Sequence, residues 1–123
     1  MDRTFLLIGA IEGFLGVALG AFGAHGLRSR ISSEMLAVFE TGVRYQMYHA
    51  FAILIVAAAM GRIGDARLLI FSGWAFTAGT ILFSGSLYAL ALSGITLLGA
   101  VTPLGGLMFL TGWGCLILFA LAR

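Results

Sequence analysis

Four long apolar runs separated by short polar breaks organise the chain. They extend from about Thr4 to Ala24, from Arg44 through Phe51 to Met60, from about Leu68 to Leu92, and from Pro103 to Ala122. A helix rises 1.5 Å per residue, so about 20 apolar residues cross the roughly 30 Å of hydrocarbon in a bilayer. Each run is therefore read as one crossing. The pattern predicts an all-α integral membrane protein of about four transmembrane helices, folded as a single bundle over residues 1–123.

The segment from Leu27 to Arg44 breaks the pattern. Arg28, Arg30, Glu34, Glu40 and Arg44 alternate with Ile31, Met35, Val38 and Phe39, which fall on one helical face. Ser32 or Ser33 supplies an N-cap and Glu34 sits favourably in the first turn. This predicts an amphipathic interfacial helix between the first and second crossings, lying along the membrane surface. Gly61 to Arg67 reads as a charged loop, and Ser93 to Val101 as an uncharged connection. Thr102 reads as an N-cap with Pro103 at the first helical position, although a helix starting near Ile95 would be kinked there instead.

Small residues form two seams. Gly9, Gly13, Gly16, Gly20 and Gly23 recur at steps of four and three, on one face of the first crossing. Ser72, Ala75, Gly79, Ser86 and Ala89 line one side of the third at heptad steps. In lipid, close backbone approach is a main source of helix association, so such seams mark packing. They pack within the chain, between copies as a homo-oligomer, or against a bound lipid.

Composition narrows the alternatives. The 123 residues are 61% hydrophobic and 10% charged, more apolar surface than a small soluble core hides. Seven arginines are scattered singly, so no basic stripe exists to hold nucleic acid. Lysine and asparagine are absent, which removes Schiff-base chemistry and a P-loop. Cys115 is the sole cysteine, and two histidines are too few for a closed metal site; no cofactor or metal is expected. Ala21 to Ala24 resembles a signal-peptide cleavage region, but Glu12 within the apolar run argues for a retained helix. Arg3, Arg62, Arg67 and Arg123 fall on one side of the bundle against Arg28, Arg30 and Arg44 on the other, which favours cytoplasmic termini.

Chemistry, if present, lies with the polar groups in apolar surroundings. Glu12 stands inside the first crossing, where charge is costly and calls for a partner. His25 follows that crossing, and Glu40, Arg44 and Tyr48 are spaced by four, with Tyr45 and His49 beside them. Such a set could line a proton or small-solute path, or it could fix helix register. Depth sets His25 near Glu40 and Tyr48, and leaves Ser72, Thr77, Thr80 or Ser84, or another copy of the chain, as partners for Glu12. No serine has the His and Asp neighbours of a nucleophilic site, so a non-enzymatic, self-associating bundle is the leading reading.

Four words in the chain are characteristic. Gly20 to Leu27 reads GAFGAHGL, Phe39 to Ala50 reads FETGVRYQMYHA, Phe83 to Tyr88 reads FSGSLY and Thr102 to Gly106 reads TPLGG. In this order they resemble the bacterial small membrane proteins of domain-of-unknown-function family 423, over nearly the whole chain. The resemblance implies a multi-pass protein of the bacterial inner membrane with about four helices, related to a eukaryotic transmembrane family. It implies no activity, and draws interest to Gly23, His25, Arg44, Tyr45, Tyr48, His49, Ser86, Tyr88, Pro103 and Gly106.

Overall fold

The computed structural model describes residues 1–123, all helices and connections without strands. Helix α1 (Asp2–Phe22) passes into a π-helical turn (Gly23–Leu27). Helix α2 spans Ser33–Ile63 and α3 spans Arg67–Ser93, and a short 3-10 turn (Thr96–Ala100) leads into α4 (Thr102–Leu121). With the turns included, the four segments are 26, 31, 27 and 26 residues long. Each is long and apolar enough to cross a membrane.

The amphipathic segment is not a separate interfacial helix. The Ser32 side chain caps α2 by accepting from the Met35 N–H at 3.1 Å, and the helix then continues unbroken to Ile63. No proline interrupts the ladder, so the polar turns and the second crossing form one rod. Its 31 residues span about 46 Å, longer than the hydrocarbon, and Glu34, Glu40 and Arg44 are exposed along its first part.

Pro103 stands in the first turn of α4 and marks a start, not a kink. Thr102 does not cap that helix. Val101 occupies the cap position, and the Thr102 hydroxyl instead pairs with Ser86 Oγ of α3 at 2.6 Å. At the end of α3, Gly94 adopts φ 73°, a left-handed turn that returns its N–H to the Leu90 carbonyl.

Helices adjacent in sequence are adjacent in space: α1 packs on α2, α2 on α3, and α3 on α4. The central pair, α2 and α3, supplies most of the core, including Ile53, Val56, Leu69 and Phe76. Phe5 of α1 also reaches α3, where its ring occupies the space that a Cβ on Gly73 would need. At the other end Leu27, Phe39 and Ala91 form a smaller cluster. The N-terminal ammonium lies 3.5 Å from Asp65, tying the start of α1 to the α2–α3 turn.

Both small-residue seams are consumed inside the chain. A Cβ on Gly9 would lie 2.8 Å from Leu54, on Gly20 3.3 Å from Val43 and on Gly23 3.0 Å from Phe39, while one on Gly16 would strike the Met47 sulfur. Four of the five glycines thus receive α2, and Gly13 alone faces open space. On α3, Ser72 donates to the Gly112 carbonyl at 2.9 Å and Gly79 admits the Phe109 ring, so that seam receives α4, with Ala89 left exposed. The glycine face of α1 is thus a packing seam within the chain, except at Gly13.

Candidate functional site

The packing order leaves two lateral clefts. One lies between α1 and α3 with α2 as its floor, and the other lies between α2 and α4 with α3 as its floor. The first holds the buried carboxylate and the second holds the buried histidine.

Glu12 lines the α1/α3 cleft, a space of about 310 Å³. It is 9% exposed, and its Oε2 is buried without a hydrogen-bond partner. A buried acceptor left in that state is costly and uncommon in native proteins. Gln46, Thr80 and Tyr88 share the lining, while Leu15 and Ile81 stand exposed at the rim.

Of the polar neighbours of Glu12, Gln46 and Tyr88 are engaged with other groups and Thr80 stands beside the carboxyl. Gln46 Nε2 donates to the Glu12 backbone carbonyl at 2.9 Å, and the Tyr88 hydroxyl donates to Gln46 Oε1 at 2.6 Å. Thr80 donates to the Phe76 carbonyl at 3.0 Å. These bonds stitch α1 to α2 and α2 to α3, and they present mainly oxygen lone pairs to the cleft.

The α2/α4 cleft is larger, about 590 Å³, and almost wholly apolar, with Tyr45, Phe83, Phe109 and Trp113 on its walls. His49 lies flat on Phe109 with ring centroids 3.5 Å apart and 5° between planes. The Trp113 indole can only donate, and it reaches His49 Nε2 at 3.1 Å. Nε2 is therefore the acceptor, and Nδ1 carries the proton donated to the Tyr45 carbonyl at 2.8 Å. Both ring nitrogens are satisfied, which makes His49 a register-fixing group between α2 and α4.

The polar set expected from sequence does not assemble. His25, Glu40, Arg44 and Tyr48 are exposed on the outside of the bundle, and Arg44 makes no ion pair with Glu40. Glu12 and His49 occupy opposite clefts. The depth argument does place Thr80 beside Glu12, but Ser72 and Ser84 are spent on the Gly112 and Gly42 carbonyls and Thr77 on its own helix. Sequence reasoning missed Gln46 and Trp113. Gln46 carried a usable signal, since it is the sole amide side chain in the chain and stands in mid-helix among apolar residues.

Four apolar helices, stitched by side-chain bonds to backbone carbonyls and bearing one buried carboxylate, define a small multi-pass membrane protein. The family model described as Protein of unknown function (DUF423) matches residues 19–106, and the chain belongs to this family. It is 44% identical over 118 residues to UPF0382 membrane protein YwdK of Bacillus subtilis, covering 96% of each chain. It is 45% identical over 123 aligned positions to UPF0382 inner membrane protein YgdD of Escherichia coli, covering 98% of this chain and 91% of the relative. A third relative, UPF0382 membrane protein SAB0533 of Staphylococcus aureus, is 44% identical over 116 residues, 94% of this chain and 93% of its own. These names assign no activity, and the protein is a small membrane protein of unknown cellular role. No solved structure matches the chain.

Proposed function

We infer that the protein is a non-enzymatic binding bundle that admits a lipid-soluble ligand sideways from the bilayer into the α1/α3 cleft. The observation that carries this reading is Glu12, nine-tenths buried with Oε2 unpartnered, in a cleft whose rim is formed by exposed Leu15 and Ile81. Intramembrane carboxylates are expensive to keep unless a partner offsets the cost. A path across the membrane finds no support, because the remaining polar groups are on the outer surface or in the opposite cleft. A bacterial inner-membrane setting with cytoplasmic termini is favoured by the arginine distribution and by the name of the E. coli relative.

Photolabelling in nanodiscs with a lipid-soluble diazirine tests the reading. A Cβ on Gly85 meets nothing within 4 Å, so Gly85→Leu places a side chain in the cleft without displacing the fold. Labelling concentrated on Leu15, Leu19 and Ile81 and suppressed by Gly85→Leu supports the reading. Labelling spread evenly over exposed α1 residues such as Phe14 and Val17, and indifferent to that substitution, overturns it.

A further inference from the structure

We propose that the α1/α3 cleft is a site for a lipophilic primary ammonium ion, its head on Glu12 and its tail running out between the helices. This rests on the lateral-binding reading above and adds the chemistry of the ligand. The argument is a count of donors and acceptors. Glu12 Oε2 has no partner, the Tyr88 hydroxyl proton is spent on Gln46 Oε1, and Thr80, whose hydroxyl also reaches the Phe76 carbonyl, is the one hydroxyl beside the carboxyl. Gln46 has one amide proton engaged by the Glu12 backbone carbonyl and only its second to spare. The cleft is thus richer in lone pairs than in donors, and its single carboxyl supplies at most one negative charge. A complementary head group brings several N–H donors and one positive charge, which describes –NH3⁺.

Charge matching excludes a divalent metal ion as the natural occupant. No group of three or more His, Cys, Asp or Glu converges anywhere in the molecule, and one carboxylate balances one positive charge. Depth excludes a phospholipid head group. Glu12 is ten residues from Asp2, about 15 Å along the helix and near the middle of a roughly 30 Å hydrocarbon layer. The ammonium must therefore be on a molecule free to enter tail and all. The walls suit such a tail, because Leu15, Leu19 and Ile81 are apolar and Gly85 leaves the passage open.

The experiment uses full-length protein in phosphatidylcholine nanodiscs and measures how dodecylammonium and neutral dodecanol each protect the cleft from the diazirine label. The expected result is protection by dodecylammonium at a mole fraction at least tenfold lower than by dodecanol, with the preference lost in Glu12→Gln. That variant keeps the side-chain size and the backbone carbonyl that Gln46 uses. Equal protection by the two amphiphiles, or a preference that survives Glu12→Gln, overturns the ammonium assignment while leaving the labelled cleft intact. A cleft that labels but that neither amphiphile protects overturns the assignment as well. Adding phosphatidylethanolamine should leave the dodecylammonium midpoint unchanged; protection by that lipid alone would assign the site to a head group and overturn the proposal.

Discussion

Gln46 crosses the α1–α2 interface to bond Glu12, but it bonds the main chain: its Nε2 donates to the Glu12 carbonyl at 2.9 Å and leaves the carboxyl without it. The amide therefore fixes where α1 sits on α2 while Glu12 Oε2 stays without a hydrogen-bond partner. In an apolar solvent, where helices gain little from hydrophobic contact with one another, such bonds and close packing set the register. Tyr88 continues the chain of bonds to α3.

Replacing Tyr88 with Phe should therefore lower stability by about 1–2 kcal/mol, because Gln46 Oε1 loses its donor in a buried site. The ring itself stays packed on Phe39, with centroids 4.9 Å apart, so little core is lost. Thermal unfolding of the purified protein in detergent measures this. Combining Tyr88→Phe with Gln46→Leu should cost less than the sum of the two, since they remove one shared bond.

Glycine positions should separate by what they face. At Gly105 a Cβ would fall 2.7 Å from the Phe83 Cα, and backbone cannot swing aside, so Gly105→Ala should cost about 1–3 kcal/mol. Gly13→Ala, which meets open space, should be neutral or slightly stabilising. Scanning calorimetry on the two variants distinguishes them, and equal effects would mean that α3 and α4 do not approach closely at Gly105.

Gly16→Ile should destabilise the single chain without altering its association. At Gly16 the glycine face of α1 is filled by Met47 of α2. Light scattering in detergent should return the same particle mass for the variant as for the wild type, alongside a lower unfolding temperature. A change of oligomer size at unchanged stability would restore the glycine face as a contact between copies.

The four crossings were legible because each is an apolar run of membrane length, whereas Pro103 read as either a helix start or a kink until the structure placed it in the first turn of α4. What periodicity could not show was continuity. Polar residues from Glu34 to Arg44 read as a surface helix, yet nothing in Glu40 to Tyr45 breaks a helix, and α2 passes straight through them. The candidate site was legible only at Glu12. Spacing by four placed Glu40, Arg44 and Tyr48 on a common face, but that face is the outward one, and a single sequence does not say which face of a half-polar rod a neighbour covers. His49 fell on the other side of α2, and its partner Trp113 lies 64 positions away, beyond the reach of any local pattern.

The His49 ring should be observed as the Nδ1–H tautomer. Trp113 offers a donor to Nε2 and Tyr45 offers an acceptor to Nδ1, so the two nitrogens should give well-separated ¹⁵N resonances in the labelled protein. Trp113→Phe should move the Nε2 resonance further downfield, because the unprotonated nitrogen loses the hydrogen bond that shields it, and cost about 1 kcal/mol. Identical nitrogen shifts in wild type and variant would mean that the indole does not reach the imidazole.

The proposed placement of Glu12, in a lateral cleft that opens to lipid and excludes water, is most directly tested by carbodiimide labelling read by mass spectrometry. The five carboxylates are Asp2, Glu12, Glu34, Glu40 and Asp65, and all except Glu12 are exposed. Hydrophobic dicyclohexylcarbodiimide should modify Glu12, and a water-soluble, charged carbodiimide should modify the other four and spare it. Modification of Glu12 by the charged reagent at the rate of Glu40 would place it in water, and its resistance to both reagents would place it in a sealed protein interior; either outcome is incompatible with a lateral cleft.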